Sequence, residues 1–191
     1  MQKLQKHFGL ISFIGFSVVA LIISFVNWHG PTLTVSKHVG LNTESMIAFG
    51  IVCTVATILL AFCLLQYIRK KWDLNVIYVV MASVIVAGFF VTGWLPYSGP
   101  ESPITAVHQF ASWTMIYTMI VFTVYLVIKL WKKMNLATRI AGVTFLVYIL
   151  IIFLLKTFFE PIYADGVFFY EVAYVGLFYV FVLALNYQKD K

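Results

Sequence analysis

The sequence predicts an all-α polytopic membrane protein, with six transmembrane helices in an up-down bundle and both termini in the cytoplasm. Three observations carry this reading. The 191 residues are 62% hydrophobic and only 10% charged, whereas soluble domains carry about 25% charged residues. A soluble fold of this size could not hide so much apolar surface, so lipid must solvate much of it. Six apolar runs, each near the roughly 20 residues needed to cross a bilayer, are separated by short connections, apart from the longer first one. The basic residues are also one-sided. Lys3, Lys6, Arg69, Lys70, Lys71, Lys129, Lys132, Lys133, Arg139, Lys189 and Lys191 fall at one end of the predicted helices, and only Lys37 and Lys156 at the other. This bias sets the basic end in the cytoplasm. The net charge of +6 is therefore an orientation signal, and no nucleic-acid-binding motif accompanies it.

The elements follow in chain order. Met1 to His7 is short, polar and basic. The first apolar run, about 8–27, is longer than the core of a signal peptide, and no small-x-small cleavage site precedes Trp28-His29, so a retained helix is expected. The longest polar connection, 28–44, carries His29, Pro31, Lys37, His38 and Asn42. Asn42-Thr43-Glu44-Ser45 then offers N-cap side chains to a second helix over about 45–68, which Arg69-Lys70-Lys71 is expected to stop. The third helix covers about 76–95. Pro96, Pro100 and Pro103 lack backbone donors and interrupt the chain before a fourth helix over about 104–130. The fifth covers about 137–159, with Pro161 marking its end, and the sixth about 166–186. Short loops make sequence neighbours antiparallel neighbours, and the chain reads as one domain. Cys53 and Cys63 lie about 15 Å apart along one helix and cannot pair within it. They read as packing residues.

Most acidic and histidine side chains distribute opposite to the lysines, with Asp73, Asp190 and His7 at the basic end. Glu44, Glu101, Glu160, Asp165 and Glu171, with His29, His38 and His108, all fall at or near the outer side. His108 lies about one turn into the fourth helix. Glu171 lies in the first two turns of the sixth, among Phe168, Phe169, Tyr170 and Tyr174. An ionisable group in an apolar helix is expected to face the bundle interior and to have a partner. Lys156 near the end of the fifth helix is one candidate. It can reach Glu160 at i+4, or it can join His108 and Glu171 around an outer cavity. The candidate ligand-binding set is therefore His108, Lys156, Glu160, Glu171, Glu44 and His38. If the protein is an enzyme, His108 is the candidate base and Glu171 the group that orients it or a metal. No close spacing of metal ligands such as H-x-x-x-H occurs, and neither a Gly-rich phosphate loop nor a G-x-S-x-G elbow is present. No metal or other cofactor is indicated.

Certain of these residues carry a resemblance. Ser36-Lys37-His38-Val39-Gly40 leads into the second helix, Gly93 to Pro96 ends the third, His108 begins the fourth, and Glu171 lies early in the last. Together with the six-helix topology, this pattern resembles the DUF998 membrane proteins of bacteria and archaea, and more distantly the Frag1/DRAM/Sfk1 proteins. It departs from the family pattern in having Lys37-His38 for Asp-Leu and Gln109 for Asn. The resemblance implies a prokaryotic plasma-membrane protein, with lipid-linked roles among distant eukaryotic relatives, and implies no catalytic mechanism.

The expected function is the binding of a lipid headgroup or small amphiphile in an outward-facing polar pocket. Membrane lipids are the expected partners, and homo- or hetero-oligomerisation within the membrane is left open. The alternatives are a membrane-embedded hydrolase or transferase using His108 and Glu171, and an accessory or structural subunit in which the same groups join helices.

Overall fold

The computed structural model of the chain describes residues 2–95 and 101–189, with side chains from Gln5 onward. Pro96, Ser98, Pro100, Asp190, Lys191 and the Lys3 side chain lie outside the described residues. The chain forms α1 (Gln2–Val26), a short α2 (Val35–Gly40), α3 (Thr43–Ala61), a π-helical segment (Phe62–Ile68), α4 (Arg69–Trp72), α5 (Val76–Trp94), α6 (Pro103–Leu130), α7 (Leu136–Phe158), a short α8 (Glu160–Asp165) and α9 (Val167–Tyr187). Among the described residues, six helices are long and apolar enough to cross a membrane, the second running unbroken from Thr43 to Trp72. Leu74 joins the core at the turn after it, and no strand forms among the described residues. The protein is an all-α polytopic bundle.

The spans form a closed up-down ring. Each packs on its sequence neighbour, and α9 returns to α1. The seam between α6 and α7 is the sparsest. Close approaches are made by glycines. A side chain at Gly93 would place its Cβ 2.5 Å from Cys53 Cβ, and one at Gly142 would meet Phe181 and Val127 at 2.9 Å. Gly142 thus lets α7 approach α6 and α9 near the basic end. From there α6 and α7 diverge toward the other end.

Most of the core belongs to the basic half, where Tyr78, Phe122, Phe145, Phe178 and Phe181 are fully buried. Tyr78 Oη donates to the carbonyl of Leu64 at 3.0 Å. That carbonyl also accepts from the Arg69 amide five residues on. A side-chain donor inserted at this point gives the π segment a local cause. Ser12 Oγ donates to Ala56 O at 2.7 Å and bonds Tyr179 Oη at 3.0 Å. Each such interhelical bond contributes about 0.6–2 kcal/mol in a membrane.

The helix ends correct several expectations. Arg69-Lys70-Lys71 does not stop the second span. The helix continues through Trp72 and ends at Asp73, which is left-handed at φ 48°, ψ 60°. Arg69 and Lys70 are exposed and Lys71 reaches the carbonyls of Asn186 and Gln188, so the three charges are accommodated in helix and charge alone does not end it. Asn42 caps α3, accepting from the amides of Glu44 (2.8 Å) and Ser45 (3.4 Å), so the helix begins two residues earlier than expected. The 28–44 connection is also not all loop, since Thr34 caps α2 by accepting from Lys37 N.

Candidate functional site

The ionisable side chains singled out in α6, α7 and α9 line one cavity. Its volume is about 580 Å³, and it sits in the α6–α7 seam at the end opposite the lysine-rich turns, with α9 and the start of α2 behind it. His108 and Gln109 from α6, Lys156 from α7, Glu171 from α9 and Lys37 from α2 line its upper part. Deeper, the walls are Ile116, Ile120, Ile149 and Ile152. From His108 to Ile120 the helix descends about 18 Å. A second, smaller chamber of about 70 Å³ lies against it, lined by Ser17, Thr92 and Met115 among others. Ser36, His108, Ser112, Glu171 and Tyr174 line both spaces and form the wall between them.

Two of these groups, Glu171 and His108, are held by backbone. Glu171 is half-buried and accepts from the amide of Val35 at 2.7 Å. Val35 is the first residue of α2, and a first-turn amide has no partner within the helix, so a carboxylate is well placed there. A backbone bond from Phe168 N to Pro31 O, 3.1 Å, fastens the same loop to the start of α9. His108 is buried, and its Nδ1–H donates to the carbonyl of Leu95 at the end of α5. The direct His108–Glu171 and Lys156–Glu171 pairs anticipated from sequence are not among the described hydrogen bonds. The two groups are instead tied to separate elements, Glu171 to the start of α2 and His108 to the end of α5.

Lys156 also takes a different partner. Helix α7 ends at Phe158, and Phe159 leaves helical geometry at φ −136°, ψ 48°. The i+4 face on which Glu160 was to meet Lys156 therefore does not exist. Glu160 opens α8, is exposed, and lines neither space. The Lys156 ammonium lies 4.3 Å above the Trp113 ring and 5.9 Å from that of Tyr163. Tyr163 in turn stacks on Tyr170 at 5.7 Å and 13°. Burial, reinforced by the nearby Glu171 carboxylate, pushes the Tyr163 phenol above its ordinary range, so it remains a hydrogen-bond donor at neutral pH.

Two other expected site residues lie apart. Glu44 is exposed in the first turn of α3 and lines neither space, because its helix opens on the far side of the ring from the α6–α7 seam. His38 is fully buried in α2. Its ring stacks on Trp28 (5.2 Å, 12°) and meets Phe168 edge-on (5.4 Å, 74°), and its Nδ1–H donates to Thr34 O at 2.9 Å. It anchors α2 on the bundle and does not line the cavity. Lys37, Gln109 and Trp113 were not proposed from sequence as site residues. Trp113 lies five residues past His108, less than two turns along the same helix, which is the signal that could have flagged it. Among the described residues, no three His, Cys, Asp or Glu side chains converge to hold a metal ion.

The arrangement is amphiphilic, with cations, amides and hydroxyls above and branched aliphatic side chains below. Compared with protein-family models, curated proteins and solved structures, the chain matches none.

Proposed function

We propose that the protein binds a membrane amphiphile in the cavity between α6 and α7, with the headgroup among His108, Lys156, Glu171 and Lys37 and an acyl chain along the isoleucines below. The observation that carries this reading is the segregation of the lining, which is polar over the first turns of α6 and mainly apolar from Ile116 to Ile120, within the roughly 18 Å that the helix runs from His108. A volume of 580 Å³ lies within the range of ligand sites. The wide end faces the outer side in this reading, by the lysine bias, in a prokaryotic plasma membrane of the kind the DUF998-like resemblance implies.

A structural reading is favoured by one observation. Both His108 and Glu171 spend hydrogen bonds on loop backbone, as residues joining elements would. A filling substitution separates the two. Ile120→Trp should occupy the apolar slot, leaving those bonds in place. Native mass spectrometry of the protein purified in mild detergent should show a retained amphiphile in the parent and its loss in this variant, with melting temperature unchanged or raised. Equal retention of the same molecule in both would defeat the cavity reading and leave the structural one.

A further inference from the structure

The amphiphile reading leaves the headgroup unspecified, but the charges around the cavity mouth narrow it. Among the described lining residues, two lysines stand against one carboxylate. That carboxylate, Glu171, takes the Val35 amide at 2.7 Å on Oε2 and also lies within electrostatic reach of Lys37. Lys37 sits two residues further along the same short helix. Lys156 is different. No carboxylate pairs with it among the described residues, because the break at Phe159 carries Glu160 away from its face. It rests instead on the Trp113 and Tyr163 rings. An aromatic face attracts and positions a cation without neutralising its charge. The mouth therefore retains positive charge, with neutral donors beside it in Gln109 and the Tyr163 phenol. A quaternary ammonium headgroup would have to displace or oppose Lys156 on its aromatic shelf. A carboxylate or phosphate oxygen would meet the ammonium directly.

Resting on the amphiphile reading, we infer that the cavity selects anionic amphiphiles, with Lys156 on its Trp113–Tyr163 shelf as the residue that recognises the acid group and Lys37 as the second cation. Two sources share this chemistry, a free fatty acid and an anionic phospholipid with one chain in the slot.

The experiment uses the full chain in a neutral detergent and reads quenching of tryptophan fluorescence by brominated ligands. The ligands are a brominated fatty acid, brominated phosphatidylglycerol and brominated phosphatidylcholine. Quenching that disappears in Trp113→Tyr is assigned to this cavity. The expected result is that at least one anionic ligand binds tenfold or more tightly than phosphatidylcholine. Lys156→Gln should lower that preference about fivefold, the effect of one cation near a membrane surface. Lys156→Arg should retain it, and Lys37→Gln combined with Lys156→Gln should abolish it. Binding of the fatty acid but not phosphatidylglycerol identifies a free acid as ligand, the opposite identifies a phospholipid, and binding of both assigns selection to charge alone. Equal affinity for phosphatidylcholine, or a preference that survives in the double variant, overturns the inference while the amphiphile reading stands. Quenching of Trp113 by none of the three overturns both.

Discussion

The two ends of the bundle use polar side chains in opposite ways. At the basic end they close it. Gln188 Oε1 accepts from Asn135 N at 3.0 Å, and its Nε2 donates to Lys133 O at 2.7 Å. Asn186 Nδ2 donates to Lys6 O at 2.5 Å, and Lys71 Nζ donates to the carbonyls of Asn186 and Gln188. The tail is thereby laced to three other segments, over a core with almost no solvent exposure. At the other end His108 and Glu171 each bond one backbone group, Lys156 lies on aromatic faces, and the helices behind them stand apart around a space. Amides, with Lys71 beside them, make a seal by taking fixed backbone partners. Ionisable groups with spare hydrogen-bonding capacity make a lining. The comparison teaches that the position of the cavity follows from where the ring is tied.

The comparison can be tested at three levels. The largest effect is all-or-none. If the lined end faces outward, a thiol reagent that cannot cross the membrane should label Glu160→Cys on intact cells and leave Lys132→Cys unlabelled. The reverse pattern would invert the orientation drawn from the lysines. Background should be low because Cys53 and Cys63 are buried. Next, Gly142→Val should force α7 away from Val127 and Phe181, which are only 2.9 Å from the added Cβ. Overpacking of this kind costs about 1–3 kcal/mol. A clear fall in melting temperature is expected, and an unchanged value would mean that the ring is not held tight at that point. The smallest effect concerns the tether. Glu171→Ala should leave the global melting temperature nearly unchanged but speed hydrogen exchange at the α2 amides, Val35 first. A hydrogen bond to a charged group contributes about 1.5–3 kcal/mol locally. Unaltered exchange at Val35 would show that α2 is held by His38 and Trp28 instead.

The six spans were legible because their apolar runs are long and the connections short, and lipid solvation leaves few other folds for such a sequence. The depth of His108 and Glu171 was legible for the same reason. The cavity was only half legible. Sequence position put Lys156 near the right level but chose the wrong partner, since i+4 pairing assumes a helix that continues, and Phe159 departs from it. Glu171 bonding to Val35 spans 136 positions in the chain, and no local pattern announces such a contact. Helix α2 is six residues inside a polar connection, too short to show a period. The seal at the basic end was missed because Asn186 and Gln188 read as the polar fringe of a final helix. An amide directly after the apolar run Val182-Leu183-Ala184-Leu185 was the available hint.

The π segment has a further effect on how the second span meets its neighbours. Leu60, Leu64, Ile68 and Trp72 are all buried and recur every four residues. In an ordinary α-helix such a stripe slips in phase by about 40° at each step, or about 120° over the three steps. Hydrogen bonds reaching five residues back unwind the helix and absorb that slippage, so the stripe keeps one bearing from Leu60 down to Trp72. The segment works as a phase corrector between the two ends. It brings Trp72 Nε1 to within 3.4 Å of Leu185 O and aims Lys71 at the end of α9. The fit at the sealed end is thus set by helical winding about one to three turns above it.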